Sequence, residues 1–173
     1  MKIKVFGAVL ILISGSAIGW IIASQYIKRV NQLKQLQSGI NLFNAEIGYT
    51  QTLLPKALQE IADNLDYPIS KLFYETAHKL SEKKGKTFTE IWEERLESNF
   101  KINSLLKSDI KILREWGQQI GDSGLEEQKN INELTLKKLE EMQKRAQRKA
   151  QKRVKLTRYA GVLLSLLVII LFY

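Results

Sequence analysis

Apolar residues concentrate at the two ends of this chain, and the stretch between them is patterned with helical spacing throughout. Residues 5–27 carry no charge. At about 1.5 Å per residue they make roughly 34 Å of helix, enough to cross a hydrocarbon core of about 30 Å. Trp20 and Tyr26 lie toward the inner end of this run, where amphipathic rings favour the headgroup level, and Lys28 and Arg29 close it. A cleaved signal peptide is the alternative, because Lys2 and Lys4 precede the run. Against it, the run is long, and Ile21-Ile22-Ala23 puts a large residue where a cleavage site wants a small one. Residues 159–173 form a second apolar run of about 22 Å of helix, short for a span. The stems of Lys155 and Arg158 can snorkel to help it cross. A tail that enters the bilayer without crossing is the other possibility.

Between these runs the apolar positions recur at three and four. The first helix continues past the membrane through Val30, Leu33, Leu36, Ile40, Phe43 and Ile47, and is predicted to stop near Gln51. Pro55 suits the first turn of a second helix carrying Leu58, Ile61 and Leu65, which Asp66-Tyr67-Pro68 breaks. A third carries Ile69, Leu72, Phe73, Thr76 and Leu80, ending at Lys83-Lys84-Gly85. Thr87-x-x-Glu90 has the form of a capping box and opens a fourth. A fifth carries Leu106, Ile110, Leu113, Trp116 and Ile120 and stops at Gly121-Asp122-Ser123-Gly124. Ser123-x-x-Glu126 is a second capping-box pattern, and from there a single helix is predicted to run to the end.

The fold class is therefore all-α: a membrane-anchored bundle of about six helices with an N-terminal and a C-terminal transmembrane segment. By composition the chain divides into residues 1–27, 28–157 and 158–173. Short loops imply antiparallel neighbours, and Phe73, Phe88, Trp92, Phe100 and Trp116 are assigned to the core.

Charge adds an orientation. The formal net charge is +9, and residues 136–158 hold ten basic and two acidic residues, which accounts for nearly all of it. The inner flanks of both apolar runs are thus basic. The positive-inside rule places the middle domain in the cytoplasm and both termini on the opposite side. On a helix, Lys144, Arg145, Arg148, Lys149, Lys152, Arg153, Lys155 and Arg158 cover more than half the circumference. The strip they leave is small and apolar: Ala146, Ala150, Val154 and Thr157, continuing through Gly161, Leu164 and Val168. The basic run can lie on anionic lipid headgroups or meet an acidic protein partner. Nucleic acid is not expected, since no aromatic residues interleave the run and it abuts the membrane.

Small residues also mark the spans. Gly15, Gly19 and Ala23 stack at intervals of four in the first, and Gly161 and Ser165 in the second, a spacing that lets helices approach closely.

The sequence offers little chemistry. It has no Cys and one His, His78, which falls off the apolar face of its helix. No glycine-rich phosphate loop occurs, and one His cannot build the common His-based metal sites. The pairs Glu93-Glu94, Glu126-Glu127 and Glu140-Glu141 are adjacent on their helices and point apart. No catalytic residue, cofactor or metal is expected.

Three stretches together carry a family resemblance. They are Gly7-Ala8-Val9-Leu10 with Gly19, Glu46-Ile47-Gly48-Tyr49 leading into residues 52–58, and Trp116-Gly117-Gln118-Gln119-Ile120-Gly121 leading to Gln128 and then Arg158-Tyr159-x-Gly161. In order and spacing these resemble the stage III sporulation protein AB family of endospore-forming Firmicutes. The chain departs from the usual pattern at Asn44, Leu53, Trp116 and Gly124. The resemblance implies a helical domain similar to the cytoplasmic domains of type II secretion and type IV pilus inner-membrane platform proteins. It implies a non-enzymatic scaffold in the mother-cell part of the channel between mother cell and forespore. The partners it implies are a cytoplasmic secretion-type ATPase and other membrane subunits of that channel, with homo-oligomers also open. The surface expected to meet the ATPase combines Arg145, Arg148, Lys149 and Lys152 with Glu46, Tyr49, Gly117, Gly121, Asp122 and Gln128. A membrane-anchored regulatory adaptor unrelated to export is the competing expectation.

Overall fold

A computed structural model of the chain describes residues 2–46, 53–82, 85–100, 104–122 and 124–172. Its helices are α1 (Lys2–Ala45), α2 (Leu54–Asp63), α3 (Ile69–Ser81), α4 (Phe88–Phe100), α5 (Lys107–Asp122) and α6 (Leu125–Phe172). Among the described residues there is no strand, so the fold is all-α. Two compact units form. One is a helical domain, Asn31–Lys144, and the other pairs Met1–Val30 with Arg145–Tyr173. The composition boundaries at residues 27 and 158 mark where charge begins, whereas these units are defined by packing. The predicted continuation of α1 past Ala45, through Ile47 to Gln51, lies outside the described residues.

In the helical domain, local signals fix the helix starts. Pro55 occupies the first turn of α2, where its missing N–H costs no hydrogen bond. The predicted capping box at α4 forms: the Thr87 N–H donates to Glu90 Oε2 at 2.8 Å, and the Glu90 N–H donates to Thr87 Oγ1 at 3.3 Å. At α5 a cap that the sequence pattern did not single out does the same work. The Leu106 N–H donates to Asp109 Oδ2 at 2.8 Å, and the fully buried Asp109 carboxylate sits where the helix dipole favours an anion.

The domain core is aromatic. Trp92 and Trp116 meet edge to face with centroids 5.0 Å apart; Phe43 packs on Trp116 at 5.1 Å and Phe73 on Trp92 at 5.5 Å. Both indole N–H groups are satisfied, Trp92 by the Leu113 carbonyl at 2.9 Å and Trp116 by Asn132 Oδ1 at 2.8 Å. Asn132 in turn donates from Nδ2 to Asn44 Oδ1 at 3.3 Å, so one amide links α1, α5 and α6. Gln37 Nε2 donates to Gln143 Oε1 at 2.7 Å and ties α1 to α6 a second time. Further glutamines of α1 hold loops: Gln32 Oε1 accepts from the Ser104 N–H at 2.8 Å, and Gln35 Nε2 donates to Asp66 Oδ2 at 2.7 Å.

Gly117 belongs to this core. A Cβ there would lie 2.1 Å from Trp92 Cδ1, so only glycine lets the indole sit against the α5 backbone.

Candidate functional surfaces

The unit formed by residues 1–30 and 145–173 is packed by its smallest side chains. A Cβ on Gly15 would fall 1.9 Å from Ser165 Oγ and 3.1 Å from the Gly161 carbonyl oxygen. One on Gly19 would fall 2.8 Å from the Thr157 carbonyl oxygen, and one on Gly161 2.6 Å from the Gly15 carbonyl oxygen. The two helices therefore touch backbone to backbone. Ala23, Ala146, Ala150 and Ser165 are buried along the same unit. The Ser165 hydroxyl donates to its own helix at the Gly161 carbonyl, 2.7 Å away, and leaves no polar group unmet in the seam.

The strip predicted on α6 needs one correction. Beyond Gly161 it passes through buried Ser165, while Leu164 and Val168 are exposed. Only a small side chain fits against the Gly15 backbone, so the bulky neighbours turn outward.

Large apolar side chains face away from this seam. Trp20 is 64% exposed, Leu163 63% and Ile170 80%. Buried core helices of a water-soluble protein show the opposite. These helices are long and apolar enough to cross a bilayer, with mean hydropathies of 2.2 and 1.9 over their most apolar stretches. They are the two candidate membrane spans among the described residues.

The basic band lies on α6. Arg145, Arg148, Lys149, Lys152, Arg153, Lys155 and Arg158 are all exposed, and no acidic residue follows Glu141. Within the helical domain, three acids pair with cations across successive helices. Arg95 reaches Glu75 at 3.6 Å, Arg114 reaches Glu93 at 2.8 Å, and Lys138 reaches Glu115 at 3.0 Å. Glu94 pairs with Arg95 and with Lys86, and the Lys86 hydrogen bond, followed by Arg95, holds its carboxyl below the ordinary carboxylate range.

The remaining predicted site residues are dispersed. Gly117 is buried under Trp92 and offers no surface. Gly121 and Asp122 form the last turn of α5. Gln128 is half-buried, and its Nε2 donates to the Ile120 carbonyl at 3.4 Å, spanning the turn between α5 and α6. Glu46 follows the end of α1, half-buried, and Tyr49 lies outside the described residues. His78 is exposed on α3, 3.4 Å from Glu82. Among the described residues no group of three or more His, Cys, Asp or Glu is placed to hold a metal ion.

An all-helical domain joined to two candidate membrane spans defines a class of membrane-associated helical protein with a basic juxtamembrane helix. Within that class the family is specific. The family model for stage III sporulation protein AB matches residues 4–173, and the chain belongs to this sporulation family. It is similar to stage III sporulation protein AB of Bacillus subtilis, with 32% identity over 170 residues covering 98% of each chain. Among solved structures it is similar to a stage III sporulation protein AB chain at a TM-score of 0.67 and 29% identity, covering 71% of this chain and 96% of that one.

Proposed function

We propose that this protein is a non-enzymatic membrane platform subunit of the mother cell–forespore channel, a secretion-like complex of endospore formation. In this role it recruits a cytoplasmic secretion-type ATPase and couples it to the channel. The domain then faces the cytoplasm from the outer forespore membrane, with both termini on the opposite side, as the basic inner flanks favour. Other membrane subunits of the channel are its further partners.

One observation carries this reading: the band on α6 is a concentrated positive surface, while Glu75, Glu93 and Glu115 of the domain pair with the domain's own cations. Such a band steers an acidic partner and fixes its orientation more than it adds raw affinity. The docking surface is Arg145, Arg148, Lys149 and Lys152 on α6. Reversing those four cations to Glu is expected to abolish co-purification of the ATPase, with protease protection as the control for insertion. Unchanged recruitment by a correctly inserted variant refutes the site.

A further inference from the structure

The seam contacts fix more than proximity, because they set the level of every residue on one helix against the other. Gly15 meets Gly161 and Ser165, and Gly19 meets Thr157, Arg158 and Gly161. The helices are therefore antiparallel in this unit, and Trp20 stands level with Arg158 and Tyr159. Counting outward at about 1.5 Å per residue, Ala23 stands level with Lys155, Gln25 with Arg153, and Lys28 with Ala150.

This register puts unlike sequences side by side. Residues 20–25 of α1 are uncharged and largely apolar, yet their level on α6 carries Arg153, Lys155 and Arg158. Both facts hold together only in a layer that accepts apolar bodies and cations at once, which is the headgroup region of a bilayer. The aromatic residues mark the same layer independently. Trp20 and Tyr159, 64% and 67% exposed, sit at one level on different helices, as an aromatic belt at the edge of the hydrocarbon would. From that level to Tyr26 is about 9 Å of helix, comparable with a headgroup layer of roughly 5–8 Å per leaflet.

We propose that Arg153, Lys155 and Arg158 form a binding site for the headgroups of anionic phospholipids, held at phosphate depth by the seam. The residues suit the task. All three are exposed, and on the helix Arg153 and Arg158 flank the packed face on its two sides. Each guanidinium presents a planar fork of donors to phosphate oxygens, and Lys155 adds a point charge. The four cations farther along, Arg145, Arg148, Lys149 and Lys152, stand at or beyond the level of Tyr26 and remain for the aqueous side. One band thus divides into a lipid tier and a protein tier.

The site rests on membrane insertion of the two helices and not on ATPase recruitment. The full chain is placed in nanodiscs of phosphatidylcholine mixed with phosphatidylglycerol, extracted gently, and the lipids it retains are identified by native mass spectrometry. Retained lipid is expected to be enriched in phosphatidylglycerol. R153Q/K155Q/R158Q is expected to lower that enrichment roughly tenfold or more, and R145Q/R148Q/K149Q/K152Q to leave it in place. Excess inorganic phosphate is expected not to displace the lipid. Equal retention of the two lipids, loss in the second variant alone, or displacement by free phosphate each overturns the proposal. Should the triple variant fail to insert, R153Q and R158Q singly carry the test, and full enrichment in both overturns it. Enrichment lost with ATPase recruitment intact identifies the lipid tier as separate; recruitment lost with enrichment intact does the same for the protein tier.

Discussion

The two units of this molecule are packed by opposite rules. In the helical domain the largest side chains lie inside: Trp92, Trp116, Phe43 and Phe73 are almost fully buried. In the apolar pair the largest lie outside, and glycine, alanine and serine make the contact. The difference follows from the solvent each unit suits. Water drives apolar bulk inward. Lipid tails give no such drive between helices, so association rests on close approach of backbones. Polar contacts that cross between helices occur in the domain, from Trp116 to Asn132 and from Gln37 to Gln143, whereas the Ser165 hydroxyl bonds back to its own helix.

The largest effect that would break this comparison is removal of an aromatic anchor. Trp116→Ala empties the centre of the domain and leaves Asn132 Oδ1 without its donor. It is expected to cost about 3–5 kcal/mol, read by denaturant unfolding of the domain signal in the full chain. The contact between α1 and α6 at Gly15 should be untouched. Gly117→Ala tests the one place where the domain borrows the close backbone approach of the other unit. The added methyl meets an indole pinned by its hydrogen bond to Leu113, and a loss of about 1–3 kcal/mol is expected. Neutral behaviour there would mean that the Trp92 ring yields freely.

Smaller effects sharpen the picture. Thr87→Ala removes half of the capping box and is expected to cost about 1 kcal/mol, seen as a shift in the unfolding midpoint. The smallest effect concerns Glu94. Its folded carboxyl is held below the ordinary range by Lys86 and Arg95, so its contribution is full above the unfolded carboxyl's pKa. That contribution is lost as pH falls through the folded value. Glu94→Gln should flatten this part of the acid unfolding profile; an unchanged profile would show that the ion pairs with Lys86 and Arg95 contribute nothing.

Much of this arrangement was legible in the sequence where the signal is local. The count of helices, Pro55 at the start of α2 and the reciprocal cap of Thr87 and Glu90 all follow from short-range chemistry. What was not legible depends on partners distant in the chain. Gly117 reads as part of a partner-facing surface, and only the position of Trp92 shows it to be a packing glycine. Helical spacing alone could not choose between Leu164 and Ser165 for the seam, because three and four residues are equally near one turn; the Gly15 backbone makes the choice. Asp109 could have been found from its place three residues after Leu106. The level of the basic residues against Trp20 requires the register itself.

The seam is the element on which the contrast between the units and the depth of the basic band both depend, and the natural absence of cysteine makes it directly testable. A Cβ on Gly15 lies 3.2 Å from Ser165 Cβ, a few tenths of an ångström inside the usual disulfide spacing of about 3.5–4.5 Å, so a slight parting of the helices accommodates the bond. In membranes, the pair G15C and S165C is expected to form an intramolecular cross-link on mild oxidation. The outward-facing pair I13C and L163C, at 61% and 63% exposed positions, is expected to form none. Cross-linking of the outward pair with none at Gly15 and Ser165 would contradict the account.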